Sequence, residues 1–580
     1  MNRTLVVGAL VLAACPKTEP DDSDTAPEVW APDLACPGDV GCEEGVATDL
    51  LAGAAVRSIV PTCYETWTDL DGDWVFDRSD EAYEDCGCDR LCPKDDGYPG
   101  ADAYEGDGQF RAVYIGGGDN SRPVMGVRPA ELGMRGEGDG VWARGIALRQ
   151  GNTTIAIVAL DILGLQYDDT LRIREAVVAR GVDVDHVVMH STHSHLAVDS
   201  IGLWGPTLTR SGYDDEHMAE VRDVVVDVIV DAVAALEPVN VHVGTADVES
   251  YSAEKGVGNV IRDSRDPVAI DPTLGVARFV ALDGDTVATL VSYGIHPETM
   301  LDRTAYLSSD FVHGLRETVE DGVTWDSRTR DGVGGVCVYV NSTVGGMMTT
   351  LGVTTIDPDG QTWGSSGSWE KTDAIGQQLG EMALDAIEDA TPLDTPALSF
   401  RTTSFFLPIE NQAFQAMGLI GVLERTQYNY DPELPLDDVN QPDVLTEIDV
   451  IELGGLQIVT IPGEVLPELA IGGYDGSHVH TPGLEVVDLD ATNPPDLSAA
   501  PAGPYWKDEL TGEWSWIIGL GNDEIGYILP EYDFELDDAA PYVNEPEGDH
   551  YEETRSLGPK TADLLAEEMR RLVTWTRPTP

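Results

Sequence analysis

Two histidines stand two positions apart in Thr192-His193-Ser194-His195, and a third lies in Ile295-His296-Pro297. A carboxylate follows in Ile461-Pro462-Gly463-Glu464 and a phenol in Gly526-Tyr527. Imidazole nitrogens joined by one carboxylate suit zinc, which polarises a carbonyl and activates a water to attack it. Any one of these histidines alone reads as a core residue held by hydrogen bonds. Several of them at strand ends read as one metal site, because ligands gather where strands give way to loops.

The elements that must position these residues are visible in apolar periodicity. Residues 154–163 form a nearly continuous apolar run, which predicts a strand buried on both faces. Asp168 and Asp169 open a helical stretch to Ala179, Gly181 closes it, and Val187-Val188-Met189 begins the next strand, so this is a βαβ unit. His193 and His195 follow directly, and on an extended backbone they share a face. Residues 276–282 and 286–293, joined at Asp283-Gly284, read as a hairpin ending just before His296. Residues 445–453 and 457–461 read as a second hairpin ending just before Glu464. Helices are expected over 215–236, 372–388 and 559–575, with a buried strand over 336–340. The fold class is therefore α/β with mixed sheets, and residues 109–580 read as one catalytic unit. The loops 202–206 and 354–369 are expected to shape its pocket.

The chain has 580 residues, and 104 Asp and Glu against 34 Lys and Arg give a net charge of -70. Such a surface repels nucleic acid, so nucleic-acid binding is excluded as a function class. At the N-terminus Arg3 precedes an apolar run that ends in Leu12-Ala13-Ala14-Cys15, too short to span a bilayer. It resembles a bacterial lipobox: a lipoprotein signal over 1–15, lipidated at Cys15, with a polar tether over 16–55. An ordinary secretory signal is the plainer alternative. Either implies export, and the lipobox implies anchoring in the bacterial cell envelope.

A Cys- and Asp-rich region over 56–108 follows. Cys36, Cys42, Cys63, Cys86, Cys88 and Cys92 form an even set that an oxidising compartment would join as disulfides in one of fifteen pairings. A structural zinc cluster is the rival reading. Cys337 lies in an apolar run and reads as core. Asp69, Asp71, Asp73 and Asp77 alternate as calcium ligands do, in a spacing that resembles a thrombospondin type 3 repeat. Trp74 stands where an EF-hand loop requires glycine.

From about Phe110 onward the sequence resembles the catalytic domain of the neutral/alkaline ceramidases, secreted zinc amidases that cut the N-acyl bond of ceramide. The resemblance is carried by Ala143-Arg144-Gly145, Ala159-Leu160-Asp161, the histidine segments, Leu307-Ser308-Ser309-Asp310, Pro462-Gly463-Glu464, Gly526-Tyr527 and Ser556-Leu557-Gly558-Pro559, in this order. It implies zinc ligation by His193, His296, Glu464 and Tyr527. His195 would then orient the substrate or stand behind the ligands, with Asp161 or Arg144 supporting the site and Tyr527 acting as ligand or transition-state donor. One departure bears on mechanism: where those enzymes carry a serine, this chain has Met348, and Ser342, Thr343 and Thr349 are out of register. A thioether is neither nucleophile nor proton donor. The expectation is therefore a hydrolase that uses a metal-activated water on an amide or related carbonyl, with a small-molecule or lipid substrate. Its rival is a metal- or ligand-binding surface lipoprotein on the same fold.

Overall fold

The computed structural model describes residues 30–578 except 46–47, 134–137, 249–254, 347, 395, 438, 479–484 and 549. Cys15 and the signal segment lie outside the described residues.

Two mixed sheets face each other. The larger runs in the order Val336–Val340, Thr286–Ser292, Thr273–Ala281, Glu237–Asp247, Leu51–Ser58, Trp142–Gln150, Thr153–Leu160, His186–Ser191. The short Thr391–Pro392 also pairs with Glu237–Asp247. The smaller runs Leu34–Cys36, Leu398–Pro408, Asp443–Leu453, Leu456–Thr460, Trp514–Ile518. Strand periodicity decides the layers. In Thr153–Leu160, Ile155, Ile157 and Ala159 point at the second sheet, where they meet Phe400, Ile451 and Ile458. Ala156, Val158 and Leu160 point the other way, against Val221, Val225 and Val228 of the helix Asp215–Ala234. The other half of the large sheet is covered by the helices Phe311–Asp321 and Trp369–Glu388. The small sheet is covered by the helix Thr561–Thr574, whose Leu565, Met569 and Leu572 recur at helical spacing and are fully buried. Each such side chain contributes roughly 1.5–3 kcal/mol of burial. The result is four layers, helix on sheet on sheet on helix.

The expected elements form with small shifts of boundary. The βαβ unit is Thr153–Leu160, helix Tyr167–Arg180 and His186–Ser191 in parallel register. Gly181 closes its helix at φ 74°, the left-handed conformation glycine tolerates. Both hairpins are antiparallel pairs.

The tether expected over 16–55 is corrected where it is described. Leu34–Cys36 is an edge strand of the small sheet, and Leu51–Ser58 lies between Trp142–Gln150 and Glu237–Asp247 inside the large one. Its run Leu-Ala-Gly-Ala-Ala-Val carries little apolar bulk, so it does not announce a central strand. The six cysteines pair as Cys36–Cys42, Cys63–Cys88 and Cys86–Cys92, which sets aside the zinc-cluster alternative. Residues 59–110 are mostly irregular and lean on the core through Tyr64, Trp67 and Phe76.

One join in the large sheet positions the site. Leu51–Ser58 meets Glu237–Asp247 through only two residue pairs, so the sheet is free to curl there. Its far ends are hydrogen-bonded to each other: Asn341 Nδ2 donates to the Thr192 carbonyl at 2.7 Å, and the Asn341 N–H to His190 Nε2 at 2.9 Å. Segments that follow opposite ends of the strand order thereby meet.

Candidate metal centre

At that meeting point His193, His195 and His296 each offer a ring nitrogen, and these nitrogens all lie within 4.8 Å of one another. His193 and His195 do not share a face by strand alternation, as the sequence suggested. The strand ends at Ser191, and His193 adopts φ 66°, a left-handed conformation that costs a non-glycine residue on the order of 1 kcal/mol or more. This kink turns both rings into one space, with centroids 4.9 Å apart. Glu464 reaches it from beyond the second hairpin: its Oε2 is 3.0 Å from His296 Nε2 and 3.4 Å from His193 Nε2. Two ligand atoms about 2 Å from a tetrahedral zinc stand roughly 3.3 Å apart, so these separations suit it.

The ring tautomers are set by carbonyls. His193 Nδ1 donates to Leu163 O at 2.6 Å and His296 Nδ1 to Met348 O at 3.0 Å, which turns both Nε2 atoms toward Glu464, where they would serve as ligands to a cation once their protons are displaced. His195 has neither ring nitrogen in a hydrogen bond, and the Glu298 carboxylate lies 3.8 Å from its Nδ1. A buried imidazole with two orphaned nitrogens is costly unless something else uses them. The donor set therefore fits a zinc ion, which His193, His296 and Glu464 would hold with His195 beside them. Gly117 makes this packing feasible: a Cβ there would come within 2.5 Å of His195 Nδ1.

Glu464 pairs in parallel register with Tyr527, which places carboxylate and phenol side by side on one pocket wall. Burial pushes the Glu464 carboxyl up, but the His193 and His296 imidazoles outweigh it and hold it well below the usual carboxylate range. Burial likewise pushes His193 down, yet Glu464 lifts it to about 9. Burial and the two neighbouring imidazoles hold His195 far below the usual range, and burial beside Glu464 pushes the Tyr527 phenol well up.

Asp161 stands behind the centre. It is fully buried, takes bonds of 2.8 and 2.9 Å from Arg316 and accepts at 3.1 Å from the Thr192 hydroxyl, one residue before His193. Arg144 does not reach the histidines: it is bound to Glu320 and to the Cys337 carbonyl, so a catalytic role there is corrected to a structural one. Met348 is fully buried in the core and acts through its carbonyl alone. Thr349 is bound to Glu298 and Cys337 is buried, its thiol pushed up by that burial.

The pocket beside the centre is walled by Leu163, Ile201, Leu203, Trp204, Phe414 and Leu557. Asp199 shapes part of that wall by accepting from the N–H groups of Gly202 and Trp204 at 2.8 and 2.7 Å. Loop 202–206 therefore contributes as expected. Loop 354–369 is not part of the pocket, and Trp369 packs instead on Leu196 and Met300. The sequence reading missed Glu524, which lines the pocket with Oε1 bound to the Gly526 N–H at 2.7 Å and Oε2 buried without a partner. Its place three residues before Tyr527 was the available signal. Burial, then the Glu464 charge, pushes its carboxyl up to about 8.

Gly526 holds this wall together. It has φ 90°, and a Cβ would stand 1.9 Å from the Arg555 carbonyl oxygen. Gly526→Ala is expected to displace Tyr527 and Arg555 and to destabilise the chain by at least about 1–3 kcal/mol. Urea unfolding reads this, and an unshifted midpoint would contradict the packing.

In the N-terminal region Asp69, Asp71 and Asp73 bring one carboxylate oxygen each within 4.8 Å of one another. Asp77 lies outside that group and accepts from the Ser79 N–H at 2.8 Å. Trp74 adopts φ 64°, the conformation glycine would take there. No described helix is long and apolar enough to cross a membrane.

No protein-family model and no curated protein matches the sequence. Solved structures do match in fold. The crystal structure of neutral ceramidase from Pseudomonas aeruginosa superposes with a TM-score of 0.53 at 13% identity, over 90% of this chain and 74% of that one. A ceramidase complexed with C2 gives 0.52 at 13% identity, over 92% and 77%. At this identity the likeness is one of architecture, and what it establishes is that the chain has the fold of the neutral ceramidases.

Proposed function

We propose that this chain is a zinc-dependent hydrolase that cleaves a linear amide, or a related carbonyl bond, with an activated water. The observation that carries the reading is the convergence of three imidazoles and Glu464 at the base of an apolar pocket. Among the described residues that line this pocket there is no serine, threonine or cysteine. A covalent acyl intermediate on a hydroxyl or thiol is thus not supported, and water is the nucleophile. His193, His296 and Glu464 hold the metal, with His195 or Tyr527 completing the set. When bound, zinc supplies Lewis acidity, polarising a carbonyl and lowering the pKa of water.

The remaining chemistry belongs to side chains. The apolar wall takes the hydrophobic part of the substrate and excludes water. Glu524 Oε2, buried in the pocket wall without a partner, would in its ionised form take a proton from the attacking water and return it to the leaving nitrogen. The products are a carboxylic acid and an amine. Export through the lipobox, anchoring at Cys15 and calcium at Asp69, Asp71 and Asp73 belong to the same proposal, and their support is the sequence pattern.

The reading is tested by metal analysis of purified protein with hydrolysis assays on N-acyl amides and simple esters. Equimolar zinc with turnover is expected. Zinc without turnover on any substrate would favour the binding protein that the buried Met348 also allows. Glu524→Gln is expected to lower kcat by about 100-fold or more while leaving zinc content unchanged. A kcat within threefold of the parent would remove Glu524 from the mechanism.

A further inference from the structure

Two arginines line the pocket, and they differ. Arg425 is committed to Asp523 through bonds of 2.7 and 2.5 Å and to the Glu524 carbonyl at 3.1 Å. Arg555 has no carboxylate partner among the described residues, and its guanidinium carbon lies 5.8 Å from the centroid of the Tyr551 ring. In a chain with 104 acidic residues against 34 basic ones, carboxylates are plentiful. A half-buried guanidinium left without one beside a reactive centre is therefore kept for another anion, since desolvating a charge is costly unless it is paired. Its position is also fixed. The short 3-10 turn Glu552–Arg555 presses its last carbonyl against Gly526, next to Tyr527 and so to the Glu464 strand.

Resting on the hydrolase reading above, we propose that Arg555 binds a carboxylate on the amine side of the scissile amide, so that the substrate is an N-acyl amino acid rather than a neutral N-acyl amide. In such a molecule the carboxylate is one carbon from the amide nitrogen. It falls within a few ångströms of the reacting carbonyl, where a guanidinium in the same pocket can take both oxygens. The acyl chain lies along Leu163, Leu203, Trp204 and Phe414. Water adds across the C–N bond, giving a fatty acid and a free amino acid. The negative field of the whole protein slows the approach of an anion but is screened beyond about 10 Å, so a local cation decides recognition within the pocket.

N-dodecanoylglycine and N-dodecanoylethanolamine share a chain and an amide and differ in their terminal carboxylate or hydroxyl. Hydrolysis of both by the zinc-loaded full-length chain, and binding of both to chelator-treated protein, test the proposal. The glycine conjugate is expected to have kcat/KM at least about tenfold higher, through KM. Arg555→Met is expected to remove that preference, again through KM, and Arg555→Lys to restore part of it. Equal kcat/KM for the two amides, or an Arg555→Met effect of the same size on both, overturns the proposal while leaving the hydrolase reading intact. Preferential binding of the glycine conjugate with no hydrolysis of either sinks the hydrolase reading and keeps the Arg555 site.

Discussion

Glu464→Gln is expected to abolish stoichiometric zinc and hydrolysis together. The carboxylate lies 3.0 and 3.4 Å from the Nε2 atoms of His296 and His193, and these two imidazoles hold it ionised. Glutamine keeps the volume but removes the charge that neutralises a dication, and its amide turns donors toward nitrogens that must accept. Losing only a supporting partner of a metal ligand costs 10–100-fold in affinity, so losing the anionic ligand itself should cost more than about 100-fold. Elemental analysis after dialysis against a weak chelator reads this directly. Equimolar zinc retained by Glu464→Gln would mean that the three histidines suffice and that the ligand set is wrong. Circular dichroism guards against misfolding as the cause.

Asp161→Ala is expected to produce the largest loss of stability, about 3–5 kcal/mol. Asp161 is completely buried, and its two bonds to Arg316 leave that guanidinium with an uncompensated charge once the carboxylate is gone. The same substitution frees the Thr192 hydroxyl and the Trp142 N–H, which Asp161 accepts from at 3.1 and 3.0 Å. Because Thr192 precedes the left-handed turn at His193, zinc affinity should fall along with stability. Urea denaturation measures the first effect. A loss below about 1 kcal/mol would show that the pair contributes no more than a surface ion pair.

The strands and helices that carry the site were legible because they rest on local patterns. Residues 153–160 are apolar on both faces, and Asp168, Asp169 and Gly181 mark the ends of a helix whatever surrounds it. His193, His296 and Glu464 could be picked out because each follows such an element within a few residues. Leu51–Ser58 was hidden, since its partners lie near residues 146 and 238 and its own side chains are mostly small. Arg144 misled for the opposite reason: its place in a matching segment suggested the site, but Glu320 and the Cys337 carbonyl claim it. Glu524 offered only its place three residues before Tyr527, and its burial beside Glu464 is what singles it out among the many acids of this chain.

By itself, then, the sequence determined most of the elements that carry the site and which residue types could hold zinc. Only the tertiary structure decided that the ligands meet. The large sheet curls at a two-residue join, its far ends bond through Asn341, and His193 leaves the extended conformation to turn its ring inward. Those events depend on contacts between residues more than a hundred positions apart. Local propensity carries no information about such contacts, whereas the packing of the whole chain does.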